Sequence, residues 1–117
     1  MSQHLLFGQS GEKAAAAYLA GQGYNIVHRN YRYKRAEIDL IAQKEKLLVF
    51  VEVKTRKSDR YGFPEEAVNQ KKTDLFLLAA DHYIDQTNWQ HDVRFDIISV
   101  TGNENNWHIH HIEDAFH

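Results

Sequence analysis

The 117-residue chain has no cysteine and a single proline. Without thiols there is no disulfide to staple a small core and no thiolate zinc site. One proline, Pro64, makes no linker, and no repeat or low-complexity tract interrupts the sequence. Residues 1–117 therefore read as one domain, near the small end of the usual size range. Long hydrophobic runs are also missing. The apolar stretches are strand-length, far short of the roughly 20 residues that span a bilayer. Met1-Ser2-Gln3-His4 is not a basic segment leading into an apolar one, so no export signal is expected and the cytoplasm is the expected compartment. Neither a glycine-rich phosphate loop nor a Ser-His-Asp arrangement is visible.

What is present is charge in an unusual place. Ala36-Glu37-Ile38-Asp39-Leu40-Ile41-Ala42 and Leu47-Leu48-Val49-Phe50-Val51-Glu52-Val53-Lys54 both read as β-strands rich in Val, Ile and Leu. Strand side chains alternate, so Glu37 and Asp39 are expected on one face, and Glu52 and Lys54 on one face. An unpaired carboxylate in such a strand is costly. A hairpin turning between Glu45 and Lys46 would set Asp39 opposite Glu52 and Glu37 opposite Lys54. Glu45-Lys46 lacks the Asn-Gly chemistry of two-residue turns, and a four-residue loop from Lys44 to Leu47 keeps the same register. Directly opposed residues have Cβ atoms about 4.5–5.5 Å apart. Two carboxylates that close share a proton or hold a cation. Mg²⁺ takes oxygen ligands, often one or two carboxylates plus waters, so the layout predicts a Mg²⁺ site at Asp39 and Glu52 with Lys54 beside it. The alternative is a structural pair satisfied by lysines or backbone amides.

Asp39, a twelve-residue gap and then Glu52-Val53-Lys54 resembles the D…ExK core of the restriction-endonuclease-like PD-(D/E)xK nuclease superfamily. The wider pattern resembles its YraN-like branch of bacterial proteins. That pattern includes Gly8, Gly11-Glu12, Gly23-Tyr24, Arg29-Asn30-Tyr31-Arg32, Glu37-Ile38-Asp39-Leu40-Ile41-Ala42, Val51-Glu52-Val53-Lys54-Thr55-Arg56, Pro64, Lys72 and Arg94-Phe95-Asp96. It covers nearly the whole chain. Ala36 stands where the family usually has Gly, and Ile38 where the superfamily has its Pro; neither change touches a proposed ligand. The resemblance implies a Mg²⁺-dependent nuclease, with Mn²⁺ as a substitute. It also implies that Glu12 joins Asp39 and Glu52 as a further acidic ligand, and that a polar residue of the second helix, Gln70 or Lys72, lies near the site. A carboxylate favoured by a helix N-terminus is the alternative for Glu12, and a solvated helix face is the alternative for Lys72. Glu37 is a supporting group or the ion-pair partner of Lys54.

Net charge is −2, yet twelve of the fourteen Lys and Arg residues lie between Arg29 and Lys72. With seven acids that segment carries +5, a local patch of the kind that attracts polyanions. Arg29, Arg32, Arg35, Arg56, Arg60 and Lys72 are candidate phosphate contacts, with Tyr31 and Tyr33 available for stacking. Each alone is better read as an ordinary surface residue. His108, His110 and His111 raise a zinc hypothesis, but no partner stands at ligand spacing, and a strand with its polar residues outward accounts for them.

The element order reads αβββαββ: a helix from Gly8 to about Ala20, a strand Tyr24–Tyr31, a basic turn Arg32–Arg35 and then the hairpin strands. A basic loop Lys54–Phe63 follows, with a helix opened by Pro64 that ends near Ile84. A strand Phe95–Val100, a turn at Gly102-Asn103 and a strand Trp107–Ile112 complete it. This is an α/β sandwich with a central mixed sheet flanked by helices, in accord with the restriction-endonuclease-like fold that the resemblance implies. The expected function is phosphodiester hydrolysis in DNA. Similarity to the archaeal junction-resolvase branch suggests branched or recombining DNA and a homodimer, since cutting two strands symmetrically needs two sites. The alternative is a non-catalytic nucleic-acid-binding or adaptor protein that keeps the fold; a metal held for structure alone is a third.

Overall fold

A computed structural model describes residues 3–57 and 70–116. Its described elements are α1 (Gln3–Gly21), β1 (Asn25–Tyr33), β2 (Ala36–Lys44), β3 (Leu47–Arg56), α2 (Gln70–Thr87), β4 (Asp92–Asn103) and β5 (Asn106–Ile112). The order αβββαββ is as the sequence predicts. All five strands join one sheet in the order β1-β2-β3-β4-β5. β3 and β4 run parallel and the other neighbours antiparallel, so the sheet is mixed. The parallel pair requires a crossover, and α2 is its helix.

Alternation along β3 sorts the core into two layers. Val49 and Val51 pack against Ala15, Ala16 and Leu19 of α1. Leu48 and Phe50 pack against Phe76, Ala79 and Ala80 of α2. Each helix thus covers one face of the sheet. Phe50 is fully buried, with Phe95 5.6 Å and Tyr83 5.8 Å away between ring centroids. Where α1 crosses β3, a Cβ on Gly11 would overlap the Thr55 side chain. Glycine lets the helix lie close there, one residue before Glu12. Among the described residues no helix is long and apolar enough to cross a membrane.

Several boundaries differ from expectation. α1 starts before Gly8 and runs through it, and Phe7 rests against Trp107 at 5.5 Å between ring centroids. Arg32 and Tyr33 belong to β1 rather than to a turn, because they pair with Glu37 and Ala36. Lys54 and Arg56 belong to β3, which pairs with β4 as far as Arg56↔Thr101. Gly102 and Asn103 belong to β4 and pair with Trp107 and Asn106. The hairpin turn is the two-residue Glu45-Lys46, since Lys44 pairs with Leu47; Glu45 takes the left-handed conformation at φ 56°. The expected helix start at Pro64 lies outside the described residues.

The predicted β2–β3 register holds from Lys44↔Leu47 to Leu40↔Val51. Beyond that the alternation of β2 slips by one residue. Leu40 and Ala42 pack in the α1 layer, whereas Ala36, Ile38 and Ile41 pack in the α2 layer. Asp39 sits at the slip, so the expectation that it shares a face with Glu37 by simple alternation does not hold.

Candidate functional site

β2, β3 and α2 meet at a cleft of about 300 Å³. Arg35, Ala36, Glu37, Asp39, Glu52, Lys72, Leu75 and Phe76 line it. Asp39 and Glu52 thus share one cavity, although the ladder stops at Leu40↔Val51 and does not pair them directly. Asp39 is held by the main chain, its Oδ2 accepting the Val53 N–H at 2.7 Å. That bond lies where the β2–β3 ladder ends, so a side chain takes a strand amide. Burial raises the Asp39 carboxyl to about 7 despite this hydrogen bond, and the charges of Glu52, Glu12 and Glu37 push the same way.

Glu52 is only 7% exposed. Its Oε1 accepts from two ammonium groups, Lys54 Nζ at 3.1 Å and Lys72 Nζ at 2.9 Å. Burial lowers the pKa of Lys54, and the neighbouring Lys72 lowers it further. Burial also opposes the charge on Lys72, but its bond to Glu52 and the charges of Glu52 and Asp39 favour it, and its pKa rises. The expected Glu37–Lys54 pair does not form. Lys54 turns to Glu52, while Glu37 Oε2 meets Arg32 at 2.8 Å. The slip at Asp39 explains this, because the extrapolated pairing of Glu37 with Lys54 required unbroken alternation.

Glu12 faces a second concavity of about 450 Å³, lined by Gln9, Glu12, Lys13, Arg29, Asn30 and Leu40. Burial and then the charge of Glu37 raise its carboxyl, and Arg29 pulls it down. Asn30, given no role by the sequence reading, links this concavity to the first. With its amide nitrogen turned to the carboxylates, it lies 3.1 Å from Glu12 Oε1 and 3.3 Å from Glu37 Oε1. Its signal in the sequence is only that Asn tolerates the left-handed conformation it adopts, at φ 52°.

The remaining candidates divide. Arg35 and Lys72 line the first cleft and Arg29 the second. Arg32 is committed to Glu37. Arg56 closes β3 opposite Thr101, and Arg60 lies outside the described residues. Gln70 donates to Asp74 at 2.8 Å, one turn along α2, and is not among the cleft-lining side chains. Tyr31 is taken up internally, its hydroxyl 2.6 Å from His82 Nδ1 and its ring against Tyr83. Tyr33 stacks on His82 at 3.9 Å. His108 and His110 are exposed on β5. Among the described residues no group of three or more His, Asp or Glu side chains stands close enough to hold a metal ion.

His111 is not outward-facing. Its Nε2 lies 2.7 Å from Asp96 Oδ2 and its Nδ1 lies 3.1 Å from the Tyr18 hydroxyl. Asp96 is fully buried, and it also accepts hydrogen bonds from Arg94 and from the Asp114 amide. Burial would push its carboxyl up, but the bonds from His111, Arg94 and Asp114 outweigh that and hold it below the usual range. This network pins β4, β5 and the C-terminal turn together, away from the cleft lining.

Residues 11–100 match the family described as "Uncharacterised protein family UPF0102". A UPF0102 protein of Phocaeicola vulgatus is 43% identical over 117 residues, covering all of this chain and 97% of its own length. One of Bacteroides thetaiotaomicron is 46% identical over the same shares. One of Cytophaga hutchinsonii is 47% identical over 102 residues, 87% of this chain and 90% of its own. A match over most of the chain, with relatives this similar along nearly their whole length, leads to one conclusion: the chain belongs to the UPF0102 family.

Proposed function

We propose that the chain is a Mg²⁺-dependent nuclease that hydrolyses phosphodiester bonds in DNA, built on a restriction-endonuclease-like arrangement of its αβββαββ elements. The observation that carries this is the meeting of Asp39 and Glu52 at one cleft, with Lys54 on Glu52 at 3.1 Å and the Asp39 carboxyl raised to about 7 by burial and three other carboxylates. A protein gains nothing in stability from such crowding, which fits a seat for a divalent cation. The donor set suits Mg²⁺: carboxylate oxygens, with room in the cleft for water and a phosphate. Asp39 and Glu52 would hold the ion, with water and phosphate oxygens completing its shell and Glu12 adding its charge from the second concavity; Mn²⁺ suits the same donors. When bound, the ion supplies polarisation of the phosphoryl group and a more acidic water.

The chain's own groups do the rest. The Val53 amide fixes Asp39. Lys54, attached to Glu52 at 3.1 Å, orients the attacking water and stabilises charge that develops on the phosphate. Arg35 and Lys72 at the first cleft, and Arg29 and Lys13 at the second, supply positive charge for the flanking backbone. Branched or recombining DNA as substrate, a homodimer as the acting unit and a cytoplasmic setting belong to the same proposal, by analogy of fold.

A second reading is an adaptor that binds nucleic acid without cutting it. It draws support from Glu52, whose Oε1 already accepts both Lys54 and Lys72. The two readings part in a cleavage assay on labelled single-stranded, duplex, flap and four-way-junction DNA and on RNA, with Mg²⁺, Mn²⁺ or EDTA. The proposal expects metal-dependent cutting of DNA that Asp39→Asn and Lys54→Ala abolish. Binding without cutting on every substrate favours the adaptor. Cutting that survives Asp39→Asn sinks the site.

A further inference from the structure

Asn30 occupies an unusual place. It lies on β1 where the neighbouring ladder pairs are Arg29↔Leu40 and Tyr31↔Ile38, which puts it across from Asp39 at the point where β2 slips. Its φ of 52° is left-handed, a conformation that costs a non-glycine residue energy and that gathers at functional sites.

The side chain shows what the conformation achieves. A primary amide has two N–H donors, and two carboxylate oxygens stand within reach of this one, Glu12 Oε1 at 3.1 Å and Glu37 Oε1 at 3.3 Å. The amide is assigned with nitrogen on this side because the reverse orientation would set oxygen against oxygen. Glu12 comes from α1 and Glu37 from β2, and like charges on separate elements repel. Arg32 holds the other oxygen of Glu37 at 2.8 Å. Both acids act electrostatically on Asp39. A lysine or arginine in place of Asn30 would hold the two acids as well but would cancel their charge. A neutral double donor holds them and adds no positive charge of its own.

We infer that Asn30 is a positioning residue, whose amide ties Glu12 and Glu37 together beside Asp39 and keeps the carboxylates arrayed for a divalent cation. The inference rests on the cation-site reading above. Groups that orient metal-binding side chains typically contribute 10–100-fold in affinity, so that is the effect expected.

The test is calorimetric titration of Mg²⁺, and separately of Mn²⁺, into the wild-type chain and into Asn30→Gly. Glycine adopts positive φ without cost, so this variant removes the amide while sparing the backbone, and a cooperative thermal melt establishes that it is folded. Cation affinity about 10–100-fold weaker in Asn30→Gly supports the inference. Unchanged affinity in a folded Asn30→Gly overturns it and leaves the cation site standing. A wild-type chain that binds neither ion overturns both. NMR of the Asn30 side-chain amide gives a second measurement that does not depend on the variant's folding. Glu12→Gln and Glu37→Gln are each expected to shift one of its two proton resonances, and two unmoved resonances overturn the tie.

Discussion

Replacing Asp39 by Asn should make the metal-free protein more stable, by an amount that depends on pH in a calculable way. The folded-state carboxyl is raised from 3.8 to about 7, so ionised Asp39 opposes folding. The sign follows directly. The opposition is absent below pH 3.8, grows as pH rises through the window between the two values, and is complete above about 7. At about 1.36 kcal/mol per unit, it amounts to about 4 kcal/mol at pH 8 and about 2 kcal/mol at pH 5.5. Asn removes the charge but keeps an oxygen to accept the Val53 N–H, as Asp39 Oδ2 does at 2.7 Å in the wild type. The Val53 bond is already counted in the raised value, so the gain is about 4 kcal/mol at pH 8 and about 2 kcal/mol at pH 5.5. For a chain of this length each kcal/mol is about 4 °C in Tm. Thermal melts of both proteins in EDTA across this range should show a gap of about 16 °C narrowing to about 8 °C. A variant less stable than wild type at pH 8, or a gap constant with pH, would refute the reasoning.

Asp96 should behave in the opposite sense. Its carboxyl is held below the usual range, so its contribution is present above pH 3.8 and lost as pH falls below that. Asp96→Ala should cost about 3–5 kcal/mol in urea denaturation at neutral pH, because it leaves Arg94 and His111 without their buried acceptor. Gly11→Ala should destabilise by about 1–3 kcal/mol through overlap with Thr55, and Thr55→Gly in the same chain should recover most of the loss in the same melt. Lys54→Ala should lower single-turnover cleavage about 10²–10⁴-fold with little change in DNA binding by fluorescence anisotropy. Binding that falls as far as cleavage would make Lys54 a backbone contact instead.

The two apolar strands carried much of this architecture in plain view. Val49, Phe50 and Val51 alternate between the helical layers, and period-2 patterning led from them to the register as far as Leu40↔Val51. The slip at Asp39 was hidden, since a one-residue break in alternation leaves no mark on composition. It redirected Glu37 from Lys54 to Arg32. Asn30 was legible only as a residue that tolerates positive φ, and its amide acts through distances that spacing along β1 does not encode. Asp96 carried a usable signal. An aspartate within Phe95-Asp96-Ile97-Ile98 demands a partner, and Arg94 two residues earlier lies on the same face. His111, by contrast, is brought to Asp96 only by the pairing of β4 with β5.

The irregular backbone of β1 has an effect unrelated to chemistry. β1 is an outer strand of the sheet, and a straight outer strand is a template on which another chain can grow. Here the register shifts between Ile26 and His28, and Asn30 takes a left-handed φ of 52° three residues after Val27. Arginines at positions 29 and 32 flank it. No long, flat, uncharged row of amides and carbonyls is offered along β1, so the irregularity that aims Asn30 also guards this border of the sheet against edge-to-edge aggregation.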